Sequence, residues 1–224
     1  MKVELENVKP MDIEKRSFEI ITEELGDTPL LPGTELVVKR CIHTSADFDY
    51  AKNLCFSENA VEKAIQAIKD GACIVTDTQM AKAGINKRVL ARYGGEVYCF
   101  MSDEDVAKIA KENGSTRATA SMDKAAGLDK KLIFAIGNAP TALVRLYELI
   151  EEKKLNPELI IGVPVGFVNV EEAKEQVLAL CRRFEVPAIL AMGRKGGSNV
   201  AAAICNALLY LAGDMLDPAE RGWQ

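Results

Sequence analysis

The sequence contains a single histidine, His43, and a single tryptophan, and aromatic residues make up only 6% of its 224 residues. It also has no excess of positive charge, since its net charge is −5. An acidic chain does not present the broad basic surface that attracts nucleic acids or anionic membranes. We therefore expect neither as a partner, and any anionic ligand must be held by a local group of basic side chains and backbone N–H groups.

The six cysteines show none of the spacings of a zinc site or a disulfide framework. No two of them are separated by only two residues, and one histidine alone could join them as a ligand. Most of them lie inside apolar runs, which favours reduced and buried thiols. The N-terminal residues lack the apolar core of a signal peptide, and the longest apolar stretch is interrupted by Asn206. The sequence therefore predicts a cytoplasmic protein without a metal site.

Several apolar runs of strand length are each followed by a segment with helical periodicity. The runs cover residues 72–77, 96–101, 131–137, 158–166 and 187–193. They are rich in Ile, Val and Ala with little polar alternation, which is typical of parallel strands buried on both faces. This pattern predicts a doubly wound, mainly parallel sheet inside a three-layer α/β/α domain.

The pattern predicts one α/β domain over residues 1–224, in which residues 57–224 carry the repeated βα units. Residues 1–56 form an N-terminal elaboration that carries His43. Within it we expect a helix at 12–26 and a strand at 35–45, "ELVVKRCIHTS". The first helix of the repeated part is expected to begin at Ser57, because serine is a preferred N-cap residue.

Ligands of open α/β sheets bind at the carboxyl ends of the strands, where three glycine-containing loops are predicted. The most informative is "GRKGGSN" (193–199), which places basic side chains beside two glycines and the start of a helix. Free helix N–H groups and a close backbone approach suit an anion, either a carboxylate or a phosphate. The candidate anion-binding residues here are Arg194, Gly196, Gly197 and Ser198. The glycine spacing matches neither the dinucleotide fingerprint nor the P-loop.

His43 allows several interpretations. On a strand, period-2 alternation would place Cys41, His43, Ser45 and Asp47 on one face. A metal site lacks further ligands, and a Ser-His-Asp triad from neighbouring positions of one strand has poor geometry. A lone acid/base histidine and a hydrogen-bonded core histidine both remain possible.

The chain resembles the precorrin-8X methylmutases, called cobalt-precorrin-8 methylmutases in the anaerobic route, over nearly its whole length. The similarity lies in the blocks "IEKRSFEII", "RCIHTSAD", "IVTDTQMAKAGI", "GSTRATASMD", "AIGNAPTAL", "GVPVGFVNVEEAK" and "GRKGGSNVAAAICNALL". Their order and spacing are more specific than any one motif. The resemblance implies a flavodoxin-like fold, a homodimer and a tetrapyrrole substrate. It implies an isomerase of cobalamin biosynthesis that moves a methyl group from C-11 to C-12 without a cofactor.

The same resemblance implies roles for individual residues. His43 would be the proton donor and acceptor, Ser17 and Arg40 would contact the substrate, and Arg117 would hold a carboxylate. An arginine suits that task because its planar guanidinium can bind a carboxylate bidentately. Two other interpretations stay open: a nucleotide- or phosphosugar-dependent enzyme that uses the 193–199 loop, and a tetrapyrrole carrier without catalytic activity. Whether the substrate carries cobalt is not decided by the sequence.

Overall fold

A computed structural model describes residues 6–221, except the side chain of Ala219. The strands are β1 (Leu54–Phe56), β2 (Cys73–Thr76), β3 (Val97–Tyr98), β4 (Leu132–Ile136), β5 (Leu159–Gly162) and β6 (Ala188–Ala191). The helices are α1 (Ile13–Leu25), α2 (Glu35–Ser45), α3 (Tyr50–Asn53), α4 (Ala60–Lys69), α5 (Gln79–Gly84), α6 (Lys87–Ala91), α7 (Glu104–Glu112), α8 (Arg117–Ala126), α9 (Pro140–Glu151), α10 (Val170–Phe184) and α11 (Ser198–Ala212). Short 3-10 turns lie at Pro10–Asp12 and Pro218–Arg221.

The described strands form one sheet in the order β1-β6-β5-β4-β2-β3. All neighbouring pairs are parallel except β1 with β6, which pair antiparallel. Without β1, the order is that of a flavodoxin-like doubly wound sheet. The predicted flavodoxin-like fold is confirmed.

The sheet is covered by helices on both faces. Along β4, Ile133 and Ala135 belong to the apolar core beneath α2, α4 and α11, whereas Phe134 and Ile136 belong to the core beneath α8, α9 and α10. Successive residues of a strand point to opposite faces, so a strand between two helical layers is apolar throughout. This confirms the three-layer prediction. Within residues 6–221, no helix combines the length and apolar character needed to cross a membrane.

The strand predicted at 35–45 is wrong, because these residues form α2. The buried residues Val37, Val38, Cys41 and Ile42 follow a helical spacing and make one apolar stripe. The helix ends at Ser45, and the following Ala46 caps it in a left-handed conformation with its N–H donating to the Ile42 carbonyl. The β-branched residues favoured a strand locally, but burial of the stripe against α11 decides the structure. The shared strand face predicted around His43 therefore does not exist.

The predicted N-cap at Ser57 is also wrong. Helix α4 begins after Asn59, which has a left-handed conformation with φ 54°. Ser57 instead pairs with Ala188: its hydroxyl accepts the Ala188 N–H, and its own N–H donates to the Ala188 carbonyl, both at 2.9 Å. These bonds extend the pairing of β1 with β6, so the N-terminal region does contribute a strand to the sheet, at residues 54–56.

Candidate functional site

The site lies at the carboxyl edge of the sheet, where the strand order reverses between β2 and β4. The chain leaves β2 to one side and β4 to the other, which opens a crevice between their carboxyl ends. In this structure Asp77 occupies that position. Its carboxylate accepts the N–H groups of Gly137 (2.8 Å), Asn138 (2.8 Å) and Ala139 (2.6 Å) in the loop after β4.

Asp77 is fully buried. Burial raises the pKa of its carboxyl group, and the three N–H donors act in the opposite direction. Because these N–H groups are already bound, they are not available to a ligand phosphate. The structure therefore assigns Asp77, which had no predicted role, to joining the loops after β2 and β4.

Thr78 and Ser198 extend this junction to β6. Their hydroxyl oxygens lie 2.8 Å apart, and the Thr78 hydroxyl also accepts the Ala81 N–H at the start of α5. Gly137 makes the close approach possible, because a Cβ there would lie 2.7 Å from the Cα of Ser198. Ser198, a predicted anion contact, therefore stands at the meeting point of three strand ends.

The glycine loop before α11 packs tightly against the loop after β5. The Gly197 N–H donates to the Val163 carbonyl at 2.8 Å, and a Cβ at Gly196 would collide with the same carbonyl oxygen. The close packing of the two loops thus explains Gly196, whereas Gly197 is explained by its φ of 138°, a conformation that side chains rarely adopt. Anion binding by this loop stays a prediction, and the N–H of Gly197 is already occupied.

Arg194 projects from the same loop. Its side chain is 61% exposed and its Nε lies 2.6 Å from Glu171. Its guanidinium also lies 5.6 Å from the ring centroid of Phe167, which is 83% exposed. An exposed ion pair of this kind is weak, so a ligand carboxylate can replace Glu171 as its partner.

Lys195 joins the glycine loop to the end of α2. Its ammonium lies 2.7 Å from Asp47 and 2.6 Å from Asp49, and the two carboxylates raise its pKa. Close by, the side-chain amide of Asn199 donates to the Thr44 carbonyl at 3.4 Å. These contacts place the last turn of α2, and His43 with it, at the carboxyl end of β6.

His43 is exposed on that last turn. Among the described residues, nothing hydrogen-bonds to the imidazole, so both ring nitrogens can reach a ligand. The ring lies 5.4 Å from the ring of Phe18, centroid to centroid, at an angle of 35°. Partial burial lowers the pKa of His43; the charge of Glu14 opposes this shift and that of Arg40 adds to it. This geometry excludes the hydrogen-bonded core histidine.

Arg40 does not point to solvent. Its side chain is 10% exposed, and its Nη2 lies 2.6 Å from Glu14. The guanidinium lies 5.4 Å from the ring centroid of Phe18 and 4.7 Å from that of Tyr210. Arg221 binds the same Glu14 carboxylate, and its guanidinium lies 4.2 Å from the Tyr210 ring centroid. The substrate contact of Arg40 stays a prediction. Its buried position favours a structural role, in which it packs against Phe18, the ring that contacts His43.

Glu14 therefore serves two guanidinium groups. Burial alone would raise its pKa, but the hydrogen bond from Arg221 and the charge of Arg40 lower it. The buried Nε of Arg40 has no hydrogen-bond partner among the described residues. One carboxylate thus binds two buried guanidinium groups, and its charge and that of Arg40 act on His43 in opposite directions.

Ser17 lies in α1, three residues after Glu14 and one before Phe18, and both of these neighbours contact side chains of α2. Its hydroxyl donates to the Ile13 carbonyl at 2.8 Å, within its own helix. Ser17 is partly buried and lies one residue before Phe18, whose ring contacts His43. Glu14 and Phe18 were missed by the sequence interpretation, although both lie in "IEKRSFEII" and are four residues apart, on one face of a helix.

Arg117 is the first residue of α8 and is exposed. The preceding Thr116 caps the helix, and its hydroxyl lies 3.0 Å from that of Thr141 in the first turn of α9. Helix α9 begins after β4, so Arg117 also lies at the carboxyl edge. Among residues 6–221 its guanidinium makes no ion pair, which leaves it available to an acidic ligand.

A cleft of about 780 Å³ is lined in part by Phe18. It is bounded by α1, the first half of α2, the end of α11 and the Pro218–Arg221 turn. Leu36 and Lys39 line it from α2, and His43 follows them on the same helical face. Phe18 lines this cleft and also contacts His43, so the cleft adjoins the histidine.

The fold and site define a flavodoxin-like enzyme with one accessible imidazole and separate guanidinium groups at the carboxyl edge of its sheet. The family model for precorrin-8X methylmutase matches residues 12–211. A cobalt-precorrin-8 methylmutase of Priestia megaterium is 46% identical over 205 residues, 92% of this chain and 89% of its own length. That of Salmonella typhimurium is 46% identical over 208 residues, 90% of this chain and 95% of its own.

A crystal structure of precorrin-8X methyl mutase from Thermus thermophilus has the same fold. It superposes with a TM-score of 0.80 and 39% sequence identity, over 91% of this chain and 98% of the other. The chain belongs to the precorrin-8X methylmutase family. It is a methylmutase, an isomerase of cobalamin biosynthesis, and the substrate in this family is a tetrapyrrole, precorrin-8.

Proposed function

We propose that this methylmutase moves the C-11 methyl group of its substrate to C-12, with His43 as the only proton donor and acceptor. The observation that carries the proposal is the accessible imidazole of His43, held at the carboxyl edge by Phe18 and by the contacts of Lys195. The protonated imidazole donates to a ring nitrogen beside the migrating centre, and the neutral imidazole takes the proton back after the shift. No cofactor takes part in this sequence of steps.

The lowered pKa of His43 affects both halves of this cycle. It makes the imidazolium a stronger acid and so favours proton transfer to the macrocycle. It also reduces the fraction of enzyme that is protonated at neutral pH. Glu14 opposes the shift, so the Glu14 carboxylate keeps part of the imidazole in its acid form.

The substrate's carboxylate arms require basic groups on an acidic protein. Arg117 and Arg194 supply exposed guanidiniums at the carboxyl edge. Ser17 lies one residue before Phe18, the side chain that contacts His43. Gly196 and Gly197 belong to the glycine loop, and Ser198 begins α11. We assign the bidentate contacts to the two arginines, because neither is enclosed by the fold as Arg40 is.

We further propose that the natural substrate carries cobalt. Support comes from the relatives with 46% identity, which are named cobalt-precorrin-8 methylmutases. The cobalt ion would arrive bound in the macrocycle, as a part of the substrate. The purified protein should be mixed with cobalt-precorrin-8 and with metal-free precorrin-8 while the visible spectrum is followed. Faster conversion of the cobalt form supports the proposal, and conversion of the metal-free form alone contradicts it.

We also propose that the enzyme is a homodimer that works in the cytoplasm. Apolar side chains stand exposed at the carboxyl edge, with Phe167 at 83%, Val168 at 75% and Met80 at 70% exposure. A second copy would remove such a surface from water. The six free thiols suit a reducing compartment. Light scattering coupled to size-exclusion chromatography tests the dimer, and a mass of one chain at micromolar concentration contradicts it.

A further inference from the structure

Lys174 is an ammonium group buried without a carboxylate in direct contact. It lies in the second turn of α10 and has 0% exposure. Its Nζ donates to the carbonyl oxygens of Gly193 at 2.7 Å and Lys195 at 2.9 Å. Glu171, one turn earlier, is the acidic residue whose charge acts on Lys174, but its carboxylate forms an ion pair with Arg194. Burying an unpaired cation is costly, so this lysine contributes more than apolar packing.

The two carbonyls that Lys174 binds belong to the glycine loop. Lys195 therefore has two functions: its backbone carbonyl is held by Lys174, and its side chain binds Asp47 and Asp49. Both aspartates lie directly after α2, whose last turn carries His43. A path of short polar contacts thus connects the interior of α10 with the residues directly after the helix that carries His43.

The rest of the loop is fixed at other points. The Gly166 N–H donates to the Arg194 carbonyl at 3.1 Å, and the Gly197 N–H donates to the Val163 carbonyl at 2.8 Å. Both of these bonds attach the loop to the segment after β5. Lys174 is the contact that fixes the middle of the loop, at the residue whose side chain reaches the aspartates.

We propose that Lys174 is a positioning residue for the methyl migration: it holds the 193–195 backbone so that Lys195 can fix the last turn of α2 and the orientation of His43. The proposal rests on the catalytic role of His43 described above. Burial lowers the pKa of Lys174 to about 8, which still leaves the ammonium mostly charged at neutral pH. A charged donor forms stronger hydrogen bonds to carbonyl oxygens than a neutral amine does.

The test compares Lys174→Met and Lys195→Met, alone and combined, with two control variants. Leu149→Ala opens a cavity in the buried part of α9, near the end of that helix. Lys131→Met removes an ion pair to Asp70 from a side chain that is 49% exposed, close to the 45% of Lys195. Leu149→Ala shows what a loss of stability alone does, and Lys131→Met shows what the loss of a surface ion pair alone does.

Two measurements are made on each folded variant. The first gives kcat and KM for the conversion of cobalt-precorrin-8. The second is the imidazole NMR signal of His43, which is unambiguous because the chain contains one histidine. The NMR signal does not depend on activity, so it reports on the position of His43 even if the assignment of its catalytic role fails.

We expect Lys174→Met to shift the His43 signal and to lower kcat roughly 10- to 100-fold, the effect of a small misplacement of a reacting group. Lys195→Met should shift the same signal with a smaller loss. The double variant should be no slower than Lys174→Met, because both substitutions interrupt one path. Leu149→Ala and Lys131→Met should leave both the signal and kcat at wild-type values.

A folded Lys174→Met variant with an unshifted His43 signal and wild-type kcat would overturn the proposal, as would full additivity in the double variant. If Lys174→Met does not fold, Lys195→Met decides alone, and an unshifted signal there overturns the proposal. Full activity of a His43→Asn variant would instead remove the proposed catalytic role and leave the NMR result to judge the positioning.

Discussion

The phenyl ring of Phe18 lies against the imidazole of His43, with 5.4 Å between the ring centroids. The contact joins α1 to the last turn of α2 and covers one side of a ring whose nitrogens have no hydrogen-bond partner among residues 6–221. Phe18 also lies 5.4 Å from the Arg40 guanidinium. One aromatic side chain therefore contacts both the proposed acid and the buried cation behind it.

Phe18→Leu should raise the pKa of His43 toward its ordinary value of 6.5, because less of the imidazole is then withdrawn from water. An NMR titration of the single histidine measures this directly. The control is Phe184→Leu, at a partly buried aromatic position at the end of α10, and it should leave the pKa of His43 unchanged. An unchanged pKa in Phe18→Leu would show that Phe18 does not cause the shift.

The same shift predicts how stability depends on pH. The folded-state pKa of His43 is lowered, so the unfolded chain binds this proton first as the pH falls. The contribution of His43 to stability is therefore fully present above pH 6.5 and is lost as the pH falls from 6.5 through the folded-state pKa. His43→Asn should remove this part of the pH dependence in urea unfolding. If the free energy of unfolding of His43→Asn had the same pH dependence as that of the wild type, His43 would not be the group responsible for it.

Glu14→Gln should destabilise the protein more than Arg40→Met does. The first substitution leaves two buried guanidiniums without a carboxylate, whereas the second leaves Glu14 paired with Arg221. Removing one partner of a buried ion pair costs about 3–5 kcal/mol, and we expect Glu14→Gln in that range. Urea unfolding measures both values. A smaller loss for Glu14→Gln than for Arg40→Met would refute the shared-carboxylate arrangement.

Asp77→Asn should lower the free energy of unfolding by about 3 kcal/mol. An amide offers one oxygen, so it cannot accept all three N–H groups of the loop after β4, and its NH2 group would face a donor. The control is Asp70→Asn at an exposed ion pair, which should leave the free energy of unfolding nearly unchanged because exposed ion pairs are weak. Equal losses in the two variants would contradict the role given to Asp77.

Arg117→Gln should raise KM for cobalt-precorrin-8 roughly 10- to 100-fold with a smaller effect on kcat, since a lost charge-assisted contact costs about 1.5–3 kcal/mol. Arg182→Gln, an exposed arginine in the last turn of α10, should leave both constants unchanged. A wild-type KM in Arg117→Gln would exclude the carboxylate contact predicted for this side chain.

The alternation of apolar runs and amphipathic segments was sufficient to predict the sheet and its layers, because both faces of each parallel strand are buried. It was not sufficient for residues 35–45. There the β-branched residues favoured a strand, and only contact with α11, more than 150 residues later in the chain, selects the helix. Local preference is weak compared with the burial of an apolar stripe.

In the site as well, some residues could be selected from the sequence and others depend on contacts between distant parts of the chain. His43 could be selected because it is the only histidine, Ser198 because it begins a helix after a glycine loop, and Arg117 because of the family resemblance of "GSTRATASMD". The burial of Arg40 could not be predicted, since its partner Glu14 lies 26 residues away and Arg221 comes from the far end of the chain. Asp77 likewise binds a loop 60 residues later. Such contacts depend on the three-dimensional arrangement of the elements.

The most direct test of the account is kcat of His43→Asn with cobalt-precorrin-8, together with an independent measurement of substrate binding. If His43 is the proton donor and acceptor, the variant should bind the tetrapyrrole as the wild type does. Its kcat should fall by roughly 10²–10⁴-fold, the usual contribution of a positioned acid or base. A folded His43→Asn variant that isomerises the bound substrate at the wild-type rate would contradict the mechanism.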